Sequence, residues 1–147
     1  MSGVKKVYAV DLDSTLAHHT DWVHHTKIGE PIPAMKAKVL QWLNDGHEVI
    51  IFSARLNAEE YLLDEIRMAI HEWCVTHIGC VLPITGKKLL TFSEIYDDRA
   101  IQVVKNDGRT HMEFILDKFQ EVHKDDQWIT KALSTLRTIH TGIQNAA

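Results

Sequence analysis

Four successive apolar residues, Val49-Ile50-Ile51-Phe52, constrain this chain more than any other stretch. A strand sends alternate side chains to opposite faces, so a run apolar at every position must be covered on both. That requirement predicts a strand inside a parallel sheet with helices against it. The sequence before it supplies one helix: in PAMKAKVLQWLNDG, Met35, Val39, Leu40 and Leu43 recur at helical spacing and Gly46 stands where a C′ glycine is favoured. A second helix is expected to begin near Asn57, where Asn57 and Glu60 have capping-box spacing, and to run through Ile66, Ile70 and Trp73 to Gly79.

Further strands are expected at residues 4–10, in CVLPIT, in SEIYDD and in AIQVV. Strands alternating with helices indicate an α/β fold with a central parallel sheet. Beyond Thr110, Phe114, Ile115, Phe119 and Val122, then Ile129, Leu133, Leu136 and Ile139, recur at three- and four-residue steps. These are amphipathic C-terminal helices, packed on the sheet or serving as a homo-oligomer surface.

A chain of 147 residues with 45% hydrophobic and 24% charged residues suits one domain, a core over about 4–110 followed by helices over about 110–147. The apolar run before Asp11 is too short for a signal peptide, and no run approaches the roughly 20 residues that span a bilayer, so a cytoplasmic protein without membrane contact is expected. Cys74 and Cys80 lack the spacing of a zinc site, which favours a reducing compartment and inert thiols. The formal net charge of −4 provides no global basic field for nucleic acid.

Two strands end in acids. VYAV runs into Asp11 and Asp13, and SEIY runs into Asp97 and Asp98. Ligands of open α/β sheets sit beyond the carboxyl ends of the strands, where the strand order reverses, so these acids and Ser53 are expected in one crevice. Like charges gathered there raise one another's pKa, and a hard cation relieves the conflict. Mg²⁺ with a phosphate fits an all-oxygen donor set lacking cysteine. Ser53, close to a helix N-terminus, can donate to a phosphate oxygen, and Lys87 or Lys88 can supply positive charge. TGKK is not a P-loop: six residues separate Gly79 from Gly86, and Lys88 stands where Ser or Thr is required.

D-x-D-x-T at Asp11, Asp13 and Thr15, the strand-end hydroxyl in VIIFSAR, the lysine in ITGKK and the acid pair in EIYDDRAIQV occur in this order over roughly residues 4 to 104. The chain thereby resembles the haloacid dehalogenase superfamily of aspartate-nucleophile phosphatases. The resemblance implies a three-layer Rossmann-like fold in which Asp11 attacks phosphorus and Asp13 acts as general acid and then base. It implies that Ser53 holds a phosphate oxygen and that Lys88, favoured over Lys87, neutralises charge. Mg²⁺ would be held by Asp11, the Asp13 carbonyl and Asp97, with Asp98 in support. Leu12, Ala54, Arg55 and Arg99 are candidate substrate-binding residues, the two arginines through a second phosphate or a rim salt bridge. Ser14 stands where the family often has glycine.

The 39 residues between Asp13 and Ser53 and the 34 between Ser53 and Lys88 leave no room for a cap domain, which resembles the capless branch that includes polynucleotide 3′-phosphatases. Between strand one and helix one lies a polar flap with His18, His19, His24 and His25, open to solvation, substrate contact or metal binding. Trp22 within it is expected as an anchor or a stacking surface. Three functions follow as expectations: a Mg²⁺-dependent phosphatase for small phosphomonoesters including nucleotides, a phosphatase for nucleic-acid ends, and a non-catalytic binding module.

Overall fold

A computed structural model of the chain describes residues 4–19 and 24–146, so Trp22 lies outside the described residues. The chain divides into two compact units, Met1–Asp98 and Arg99–Ala147.

The first unit contains β1 (Val7–Val10), α1 (Pro33–Asn44), β2 (Glu48–Phe52), α2 (Leu63–His77), β3 (Ile84–Thr85) and β4 (Glu94–Tyr96). The strands form one all-parallel sheet in the order β3-β2-β1-β4, a Rossmann-like α/β arrangement. The chain steps outward from β1 to β2 to β3, then returns past both to lay β4 on the free side of β1. The β1/β4 seam is therefore the point where the strand order reverses.

The run Val49-Ile50-Ile51 is buried at all three positions, as its apolar continuity requires. Tyr8, Val10, Val49 and Ile51 share one face and pack with Val39 of α1 and Ile66, Ile70 and Trp73 of α2. Ala9 and Ile50, one residue out of phase, are buried on the opposite face, where the Phe52 ring meets Phe92 edge-on at 5.8 Å. Near the β1/β4 seam, Tyr8 stacks on Trp42 at 4.2 Å and Trp42 meets Tyr96 at 4.8 Å. α1 opens with Pro33 in its first turn, where no backbone donor is lost, and Gly46 follows it at φ +80°, the conformation a C′ residue needs.

Two expectations for this unit are corrected. The segment after β2 does not enter a helix at an Asn57 cap. Ser53 caps earlier: its Oγ accepts from Arg55 N–H at 3.2 Å, folding Ala54–Asn57 into a 3₁₀ turn. A second such turn covers Glu60–Leu62, and α2 begins only at Leu63. A serine hydroxyl bonded to the backbone two residues on competes with the α-helical pattern. The third strand is shorter than CVLPIT. Pro83 has no N–H to give to a ladder; its carbonyl accepts from Ile51 N–H at 2.8 Å, and regular pairing covers only Ile84 and Thr85.

The second unit holds α3 (His111–Val122) and α4 (Gln127–Ala146), the two C-terminal helices read from periodicity. Thr110 and Glu113 form a reciprocal capping box at the start of α3, and Leu116, Ile129 and Leu133 bury one another. Arg109 binds Asp107 at 2.7 Å and Asp117 at 3.0 Å, which holds the Asp107 carboxyl down at about 2. The fifth strand expected in AIQVV is absent. Asn106 and Gly108, both at positive φ, turn the chain back at once, so Val103 makes a single bridge to Thr110 and no ladder extends. Among the described residues no helix is long and apolar enough to cross a membrane.

Candidate active site

The β1/β4 ladder runs one rung past the strand, with Asp11 N–H donating to the Tyr96 carbonyl at 2.8 Å. This rung sets Asp11 beside Asp97. The carboxylates of Asp11, Asp97 and Asp98 each offer an oxygen within 4.8 Å of the others, so three of the four strand-end acids expected together form a cluster, without Asp13. Thr15 ties them together: its hydroxyl lies 3.2 Å from Asp11 Oδ2 and 3.4 Å from Asp98 Oδ1, and it accepts from Asp98 N–H at 3.0 Å.

Burial is the chief influence on Asp11. It pushes the carboxyl up to about 7, the Asp97 charge adds to the rise, and the Thr15 hydroxyl and Leu12 N–H pull the other way. A carboxyl so placed gains from a positive charge nearby. Three carboxylates of mixed exposure, with no sulfur or imidazole among them, fit a hard divalent cation, and Asp11, Asp97 and Asp98 could hold one.

Asp13 is separate from this group. Its carboxylate receives Arg55 Nε and Nη2 side by side, each at 2.7 Å, and His19 Nδ1 lies 3.4 Å from Oδ1. Arg55 is buried, its side chain 2% exposed, and it also donates to the carbonyls of His25 at 2.5 Å and Lys27 at 2.7 Å. Of the two arginines considered for substrate, Arg55 is thus the salt-bridge partner of Asp13; Arg99 is exposed and opens the second unit.

Leu12 contributes backbone to the site, since its side chain is fully buried in the core. Ser14 has φ +66°, the left-handed region that favours glycine, and its N–H reaches the Ala17 carbonyl at 2.9 Å. Ser53 is buried at the tip of β2, its N–H bonded to the Thr85 carbonyl at 3.0 Å, and Ala54 follows it exposed. Lys87 and Lys88 are exposed on the turn after β3. Gly86 holds that turn against the 3₁₀ segment after Ser53: a Cβ there would lie 2.9 Å from Asn57 Oδ1 and 3.1 Å from Leu56 Cβ.

The described part of the flap is closed at its base. His18 N–H donates to the Glu30 carbonyl and Ile32 N–H to the Leu16 carbonyl, both at 2.8 Å, while Trp73 Nε1 donates to the Gly29 carbonyl at 2.7 Å. His25 pairs with Glu65 of α2 at 3.0 Å, and His24 with Thr26 at 2.8 Å. Among the described residues no histidine belongs to a potential metal cluster. Burial pushes the Cys74 thiol up to about 11, in keeping with an inert core cysteine. The bridging role of Thr15 was absent from the sequence reading, which allowed Arg55 a salt bridge but named neither Asp13 as its partner nor its tie to the flap. Thr15 and Asp98, like Asp13 and Arg55, lie far apart in the chain, and only the D-x-D-x-T spacing pointed toward the contact of Thr15 with Asp11.

No protein-family model matches the chain, and no curated protein matches it. Among solved structures, the chain is similar to a conserved protein from Bacteroides thetaiotaomicron, with 24% identity over 84% of this chain and 94% of that one and a TM-score of 0.46.

Proposed function

We propose that this chain is a capless phosphatase of the haloacid dehalogenase superfamily, hydrolysing a small phosphomonoester with Mg²⁺ through an aspartyl-phosphate on Asp11. The observation that carries this proposal is the meeting of Asp11 with Asp97 and Asp98 at the seam where the strand order reverses. Mg²⁺ held by these carboxylates supplies the neutralisation that lets an anionic nucleophile approach a phosphate dianion.

The chain's own groups do the rest. An Asp11 oxygen attacks phosphorus; a P–O bond forms to the carboxylate as the bond to the alcohol breaks, and Asp13 gives the departing oxygen a proton. Asp13 then takes a proton from water, which attacks phosphorus, breaks the bond to Asp11 and releases inorganic phosphate. Ser53 Oγ, already accepting from Arg55 N–H, donates its own proton to a phosphate oxygen. Lys88, on the turn beside the Ser53 segment, neutralises the phosphoryl charge. A small substrate is favoured over a nucleic-acid end because Arg55 is committed to Asp13 and two backbone carbonyls.

A phosphatase panel with Mg²⁺, including nucleoside monophosphates and 3′-phosphorylated oligonucleotides, tests this. The parent is expected to hydrolyse small monoesters, and Asp11→Asn to abolish turnover while keeping the fold. Turnover surviving in Asp11→Asn would remove the nucleophile assignment; an inactive parent would favour a binding module.

A further inference from the structure

Arg55 is the one strongly buried cation among the described residues, and its guanidinium donates to oxygens from two sources. One is the Asp13 carboxylate, gripped through both oxygens; the other is the backbone of residues 25–27 in the flap. A buried charge is tolerated only when well paired, and a planar fork on a carboxylate fixes the orientation of that carboxylate's plane as well as its place. The grip is built locally. Ser53 Oγ takes Arg55 N–H at 3.2 Å, and Arg55 lies on the 3₁₀ turn so capped, with its guanidinium on Asp13.

We propose, resting on the phosphatase reading above, that Arg55 is a positioning residue: it aims the Asp13 carboxylate at the leaving-group oxygen and ties that aim to the 25–27 backbone. It does not bind the substrate phosphate. A proton donor a fraction of an ångström out of line loses much of its effect, whereas phosphate held by other groups is unaffected. The need for that donor depends on the leaving group. Nitrophenolate departs unprotonated; an alkoxide does not.

The experiment compares the parent, Arg55→Lys, Asp13→Asn and the double variant on p-nitrophenyl phosphate and on an alkyl phosphate such as glycerol phosphate, with Mg²⁺. General acid catalysis contributes about 10²–10⁴-fold, so Arg55→Lys is expected to lower kcat on the alkyl ester at least about tenfold. On the nitrophenyl ester the first-turnover release of nitrophenolate, which needs no proton donor, should slow by less than about threefold, with KM raised for neither ester. In the Asp13→Asn background, Arg55→Lys should cost nothing further on the alkyl ester. An equal slowing of the first turnover on both esters, or a rise in KM with kcat intact, would overturn the assignment and make Arg55 a phosphate ligand. If the parent hydrolyses neither ester, the phosphatase reading itself falls, which is a separate result.

Should Arg55→Lys fail to fold, the Arg55 Nε–H resonance decides. It is expected to move on Asp13→Asn and to stay in place when the parent is saturated with inorganic phosphate; the reverse pattern would overturn the proposal.

Discussion

Asp11 carries opposite demands from folding and from chemistry. Its carboxyl titrates near 3.8 when unfolded and is pushed up to about 7 in the fold, first by burial and then by Asp97. Across that window the folded chain holds the extra proton, so the contribution to stability is full below about 4 and is lost as pH rises through about 7. In chelator, the melting temperature of the parent should therefore fall relative to that of Asp11→Asn over this range, and a divalent cation should reverse the difference. Parallel curves for the two proteins would refute it. Ser14 offers a second test. At φ +66° a β-branched side chain is poorly tolerated, so Ser14→Val should cost about 1–2 kcal/mol in urea unfolding while Ser14→Gly costs nothing. The acids at strand ends were legible one by one, because a carboxylate after an apolar run is conspicuous. Arg55 was not, because nothing in SAR indicates whether its guanidinium faces a ligand or a neighbouring aspartate.

Among the elements, β2, α1 and the two C-terminal helices stand as read, whereas the strand expected over residues 4–10 begins only at Val7. The misplaced boundaries share a cause. At Ser53, Pro83 and Asn106 a local feature, a side-chain cap, a missing donor or a positive φ, overrode the average preference of the segment. The flap was visible only as polarity, yet its base is closely built. A Cβ on Gly29 would stand 2.0 Å from the His18 carbonyl oxygen, a backbone atom that cannot swing aside. Gly29→Ala should destabilise the chain by about 1–3 kcal/mol. Trp73→Phe, which deletes the donor to the Gly29 carbonyl, should cost about 1 kcal/mol. Denaturation midpoints matching the parent would show that these contacts do not anchor the flap.

At the scale of the whole molecule, the central position of β1 follows from the strand order and could not be read from one sequence, since apolar runs say that strands pair without saying which. Stability should track that order. Ile51, fully buried in β2 beside β1, should cost about 2–5 kcal/mol on truncation to alanine. Leu90, fully exposed, should change stability by less than about 0.5 kcal/mol under the same substitution. Equal effects would contradict the burial described. The return of the chain from β3 to β4 has a temporal consequence as well. During synthesis the second neighbour of β1 emerges from the ribosome more than eighty residues after β1 itself. Until then Asp11 lacks Asp97 and Asp98, and a nascent or truncated chain ending before Asp97 lacks the carboxylate cluster, so any activity built on it begins only once the first unit is whole.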